Sequence, residues 1–163
     1  MRRILFSALL LGVLPAAASA QLSVGAGPAF PTGDFGDAYD TGLHLQASVN
    51  IPLPMLPDIR IDGMYQRYSG DVADADILGG GVNVLFDLPL VAIKPYLLAG
   101  VGYYDVSLEA AGLEGSDSEV GFTGGAGVRV GVGRFGVFGE ARALRIGGDV
   151  DLTTIPVIIG VTF

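Results

Sequence analysis

The chain has 163 residues, with 17 acidic side chains against 9 basic ones, a formal net charge of −8, half of its residues hydrophobic, 26 glycines and no cysteine. That charge balance argues against nucleic acid as a partner, and the missing cysteine excludes both a disulfide framework and a lipid-bearing N-terminal cysteine. High acidity beside high hydrophobicity requires the two to be segregated in space.

Residues 1–20 read MRRILFSALLLGVLPAAASA: a basic start at Arg2 and Arg3, an apolar run from Ile4 to Leu14, then Ala18-Ser19-Ala20. This layout predicts a secretory signal peptide cut after Ala20; the run is short of the ~20 residues a spanning helix needs. Residues 21–163 are then one domain.

Along that domain, no segment is apolar for long enough to form a membrane helix, and no 3.6-residue stripe is sustained. What recurs is period-two alternation over about ten residues, bounded by turn-forming or acidic clusters. Eight such stretches follow in order: Leu22–Phe30, Gly42–Ile51, Asp58–Tyr68, Asp76–Leu88, Lys94–Val106, Val120–Val132, Phe135–Ile146 and Thr153–Phe163. In the second, Leu43, Leu45, Ala47, Val49 and Ile51 share one face, and Gly42, His44, Gln46, Ser48 and Asn50 share the other. The third sets Ile59, Ile61, Gly63 and Tyr65 against Arg60, Asp62, Met64 and Gln66. The fourth alternates likewise, with Ile77 and Leu85 as exceptions.

A soluble sandwich or ligand-binding barrel would alternate too, with its apolar face inside. The aromatic positions decide between the two. Phe30, Tyr65, Tyr103 and Phe122 fall on the apolar face at strand ends beside acidic loops, while Phe86, Phe135 and Phe163 fall on that face at the opposite ends. Two aromatic girdles bounding an apolar belt are what a bilayer with two interfaces selects. The connections agree: those after stretches 2, 4 and 6 are short, and those after 1, 3, 5 and 7 are longer, acidic and free of Lys and Arg. The predicted fold is an all-β, eight-stranded antiparallel up-and-down transmembrane barrel.

In its opening LSVGAGPAFPTGDFGD, its strand-and-loop rhythm and its terminal Phe163, the chain resembles the small outer-membrane β-barrel family, the eight-stranded type that includes the OmpA membrane domain and OmpX. The resemblance covers residues 21–163. It implies residence in the outer membrane of a Gram-negative-type bacterium after export, contact with outer-membrane lipid, and a last strand whose terminal Phe163 is the signal read by the barrel-assembly machinery. A monomer is expected.

An eight-stranded barrel is just wide enough for side chains to fill it. The inward ionisable residues Arg60, Asp62, Arg129, Glu140 and Arg142 are therefore expected to form a paired network that plugs the lumen, because charges shielded from bulk water must be paired. If Gly133-Arg134 makes a two-residue turn, Gly127 faces Glu140 and Arg129 lies diagonal to it, within reach of a long side chain. The alternatives are a narrow transporter or channel for small or apolar solutes and a lipid-modifying enzyme. For the enzyme, the one histidine is His44, and Ser48 lies about 13 Å away along the strand, too far for a direct hydrogen bond. No catalytic residue, cofactor or defined metal site is expected. GFTGGAG at Gly121–Gly127 mimics a phosphate loop, but no Lys-Ser/Thr follows. Pro28 and Pro156, on the first and last strands, cannot donate to a ladder and mark a possible seam where an apolar ligand enters sideways. The acidic loops lack the spacing of a calcium loop; divalent cations bridging them to anionic headgroups, or a basic partner, are the expected contacts. The expected role is structural, with surface interaction through these loops.

Overall fold

Period-two alternation lets each strand put one face on hydrocarbon and the other on a lumen, and the sequence forms eight strands that do so. They are β1 (Gln21–Thr32), β2 (Gly42–Ile51), β3 (Asp58–Tyr68), β4 (Asp74–Asp87), β5 (Lys94–Ala110), β6 (Leu113–Val132), β7 (Phe135–Ile146) and β8 (Leu152–Thr162). The computed structural model describes residues 20–70, 74–88, 93–110, 113–132, 135–147 and 152–163, without the side chains of 108–110, 113–117 and 132. Residues 1–19 of the predicted signal peptide, Gly133 and Arg134 of the predicted turn, Asp71, Asp149 and Asp151 lie outside these residues, as do the side chains of Glu109, Glu114 and Asp117.

Each strand pairs antiparallel with its chain neighbour, and β8 pairs with β1, so the sheet closes into an up-and-down barrel. Closure leaves no edge strand for another chain to extend. The large apolar side chains point outward: Leu78 is 62% and Ile159 71% exposed, and Leu22, Leu43, Leu45, Val82, Leu97, Val101, Val137 and Val161 join them. A continuous belt of this kind far exceeds the apolar patches of soluble monomers. The soluble-barrel alternative fails here, because its apolar face would have to point inward. Among the described residues no helix is long and apolar enough to cross a membrane; the strands make the crossing.

The structure departs from the sequence reading at the end away from the chain termini. β5 and β6 run on beyond Val106 and before Val120 as a paired hairpin, out to Ala110↔Leu113. Ser, Gly and acidic residues there read as a loop, but pairing along an existing ribbon satisfies the backbone without side-chain help. A short helix, α1 (Asp34–Ala38), follows Gly33, whose φ of 66° turns the chain out of β1. Its Phe35 stacks on Tyr39 at 4.6 Å and meets Tyr68 edge-on at 5.2 Å, which holds the helix over the lumen.

Inside, the lumen is layered. Below α1 lies an apolar cluster of Met64, Tyr68, Ile77, Tyr104, Leu144 and Leu152, among others. A polar layer follows, and then a small apolar group of Leu85, Tyr96 and Leu98. Ile77 and Leu85, the exceptions to alternation in β4, are lumen residues of these two apolar layers and are fully buried.

Candidate functional site

The polar layer is assembled from strands far apart in sequence. Arg60 on β3 reaches across the lumen to β7, where its Nη1 donates to Glu140 Oε2 at 2.5 Å. Arg142, two residues on from Glu140, returns the reach: its Nη1 donates to Asp62 Oδ2 at 2.9 Å, and its Nε donates to Glu140 Oε1 at 2.8 Å. A further bond joins Arg142 Nη2 to Glu140 Oε1. All four side chains are almost wholly buried. Two cations and two carboxylates cancel, so the desolvation cost of each charge is met by an opposite charge at hydrogen-bond distance.

Neutral lumen-facing groups outside the predicted charge network complete this cluster. Tyr96 donates its hydroxyl to Glu140 Oε2 at 2.6 Å, and Asn83 Nδ2 donates to Asp62 Oδ2 at 3.1 Å. Arg60 Nε donates to Asn50 Oδ1 at 2.9 Å. Arg142 Nη2 donates to Gln46 Oε1 at 2.7 Å. Their lumen parity was legible in the sequence. Their partners were not, because these depend on how eight strands are arranged around one axis.

His44 sits in the same layer, fully buried. Its Nδ1 lies 2.9 Å from Gln66 Nε2, which donates to it, and its Nε2 lies 3.4 Å from Gln46 Oε1. Gln66 in turn accepts from the Tyr68 hydroxyl at 2.7 Å. Both ring nitrogens thus face glutamine side chains.

Arg129 sits outside the cluster. Gly127 does pair with Glu140 across β6–β7, but Tyr96 faces Gly127 from the other side and fills the space it leaves: a β-carbon on Gly127 would stand 2.4 Å from Tyr96 Cζ. The Tyr96 hydroxyl takes Glu140, and the Arg129 guanidinium stacks over the Tyr96 ring at 5.2 Å instead. The diagonal Arg129–Glu140 pairing predicted from the strand pattern is therefore replaced by a cation–π contact nearer the barrel end. Tyr104 and Phe138 sit against other inward glycines in the same manner, Tyr104 against Gly79 and Gly121 and Phe138 against Gly25 and Gly160.

The two prolines lie where the ladders on either side of β8 are interrupted. The β1–β8 ladder keeps one register but breaks at Gly27 and Pro28, between Ala26↔Ile159 and Ala29↔Pro156. On its other side, β8 loses pairing with β7 between Ala141↔Val157 and Leu144↔Thr154, where Pro156 lies. Pro28 points outward and Pro156 into the lumen, so the two rings do not stack on one face. Six of the predicted girdle residues, Phe30, Phe86, Tyr103, Phe122, Phe135 and Phe163, are exposed on the outer face. Tyr65 is half-buried and donates to Asp76 Oδ1 at 2.6 Å. Phe163 meets Phe135 edge-on at 5.9 Å, and its backbone N–H donates to Leu22 O at 2.8 Å. Among the described residues no group of three or more His, Cys, Asp or Glu side chains is placed to hold a metal ion.

A closed barrel with a hydrocarbon-facing exterior and a sequence match decide the family together. Residues 5–163 match the model of the outer membrane protein beta-barrel domain. The chain belongs to this outer-membrane β-barrel family. Among solved structures, this outer-membrane barrel is similar to Neisserial surface protein A, at 20% identity and a TM-score of 0.73 over 88% of this chain and 95% of that one. It is also similar to Ail, the attachment invasion locus protein of Yersinia pestis, at 15% identity and 0.56 over 88% and 97%. The outer membrane enzyme PagL matches at 15% and 0.56 over 88% and 98%. At these identities the likeness is one of fold. None of the curated proteins matches the sequence. In outer-membrane barrels generally, short turns and the chain ends lie on the periplasmic side.

Proposed function

We propose that this outer-membrane barrel is a non-catalytic envelope protein with a sealed lumen, whose exposed acidic loops make its contacts with lipid headgroups or with a basic partner. The observation that carries the reading is the lumen chemistry. Arg60, Asp62, Glu140 and Arg142 are consumed by one another, and His44 is buried between two glutamines rather than presented at the membrane interface. Carboxylates exposed to a partner stand outside the lumen: Asp34, Asp37 and Asp40, around α1. Phe163, with its ring on the lipid face, is the assembly signal, and the exposed girdle rings set the depth of the barrel in the bilayer.

Cells displaying the barrel are expected to bind a cationic polymer such as polylysine in a salt-dependent way, because exposed charges are screened over about 10 Å at 0.1 M salt. The triple variant Asp34→Asn, Asp37→Asn, Asp40→Asn is expected to lose most of the binding attributable to the barrel at unchanged surface level. Equal binding by the variant would remove the surface role. Labelled outer-membrane lipid incubated with the purified barrel is expected to be recovered unmodified; cleavage or acyl transfer would favour the enzymatic alternative.

A further inference from the structure

At the periplasmic mouth, β5 and β6 bring two cations face to face. Lys94 and Arg129 are direct cross-strand partners, both at lumen parity. Like charges set opposite each other in an antiparallel pair repel, so this register is unfavourable unless an anion lies between them. The structure offers little of one. Asp87 Oδ2 stands 3.9 Å from Arg129 Nη1, at the limit of an ion pair, and Arg129 Nη2 is buried with no hydrogen-bond partner among the described residues. The face of Tyr96 fixes the guanidinium plane. The two cations line a cavity of about 210 Å³ whose wall also carries Gln21 and Thr162, with Phe135 and Phe163 at its rim.

From this geometry we infer that the periplasmic mouth is a phosphate-type oxyanion site. Arg129 supplies a planar donor fork with one nitrogen free, which suits a tetrahedral oxyanion. Lys94 supplies a point charge from the facing strand, and the Gln21 amide is a neutral donor on the wall. A bound anion relieves the Lys94–Arg129 repulsion and satisfies the orphaned nitrogen together. The same chemistry is presented by free phosphate in the periplasm and by the phosphodiester of a phospholipid in the inner leaflet, which the aromatic rim borders.

The test is a titration followed by NMR, on the barrel refolded in a non-ionic maltoside, with inorganic phosphate at ionic strength held constant by chloride. Saturable shifts at the Gly131 and Gly136 amides, which line the cavity, are the expected result, with apparent affinity falling about tenfold (roughly 1.4 kcal/mol) in Lys94→Gln and at least as far in Arg129→Gln. Because Lys94 is exposed, Lys94→Gln keeps the test readable if Arg129→Gln folds poorly. A second arm compares phosphatidylcholine nanodiscs with and without phosphatidylglycerol. Shifts at those amides with free phosphate assign a soluble anion, and shifts only with the anionic lipid assign a headgroup. Shifts in neither arm, or shifts that chloride reproduces or that survive Lys94→Gln unchanged, overturn the site.

Discussion

Replacing Glu140 with alanine is expected to lower the unfolding free energy of the barrel by about 3–5 kcal/mol, the cost of leaving a buried charge without its partner. Glu140 is the carboxylate on which Arg60, Arg142 and Tyr96 converge. Without it, two guanidinium groups remain in the lumen with Asp62 as the one carboxylate of the cluster, and Arg60 is left with neutral partners, Asn50 and the Tyr96 ring. The double variant Arg60→Met, Glu140→Ala removes one charge of each sign and leaves Arg142 paired with Asp62. It is therefore expected to be less destabilised than the sum of the single changes, with a coupling energy of about 1–3 kcal/mol. The chain has no tryptophan, so the checking measurement is urea unfolding in lipid vesicles followed by circular dichroism. Additive single and double variants would mean that the four side chains do not act as a unit.

The second large effect lies at the closing seam. Gly27 faces the backbone of β8 so closely that a β-carbon would stand 1.8 Å from the Val157 carbonyl oxygen, in the stretch where the β1–β8 ladder is already broken. Gly27→Ala is expected to push β1 from β8 and cost about 3 kcal/mol or more, the upper end of overpacking penalties. The control is Gly139→Ala on β7, where a β-carbon meets nothing within 4 Å; that change is expected to be neutral or to stabilise by up to about 1 kcal/mol through the unfolded chain. The fraction of folded, fast-migrating protein in unheated gels reads both. Equal mobility and stability of Gly27→Ala and wild type would show that the seam has room to spare.

These two predictions rest on features of different legibility. The strands and the outward direction of their apolar face can be read directly, because hydrocarbon and lumen impose opposite demands on alternate residues. The inward position of Arg60, Asp62, Glu140 and Arg142 follows from the same parity. Their pairing does not: Arg60 meets Glu140, and Arg142 meets Asp62, each across 80 residues of chain and across the lumen. Local spacing carries no information on such contacts. Cross-strand spacing even misdirects at Arg129, since the diagonal it suggests is filled by Tyr96, a residue of the other neighbouring strand. The apolar outer half of the lumen is hidden for another reason. Residues such as Ile77, Leu144 and Leu152 break the polar-inside rule, and only a lumen closed by α1 makes them core. The helix itself is five residues long with a glycine inside, so it has no periodic signature and depends on Phe35 packing against Tyr68.

The claim on which this account turns is that the lumen is shut by its own side chains. Single-channel recording of the purified barrel in a planar bilayer decides this: a flat baseline is expected at either polarity once protein insertion has been verified independently. Reproducible unitary steps, abolished when bulky residues replace lumen glycines but preserved in outer-face variants, would contradict it.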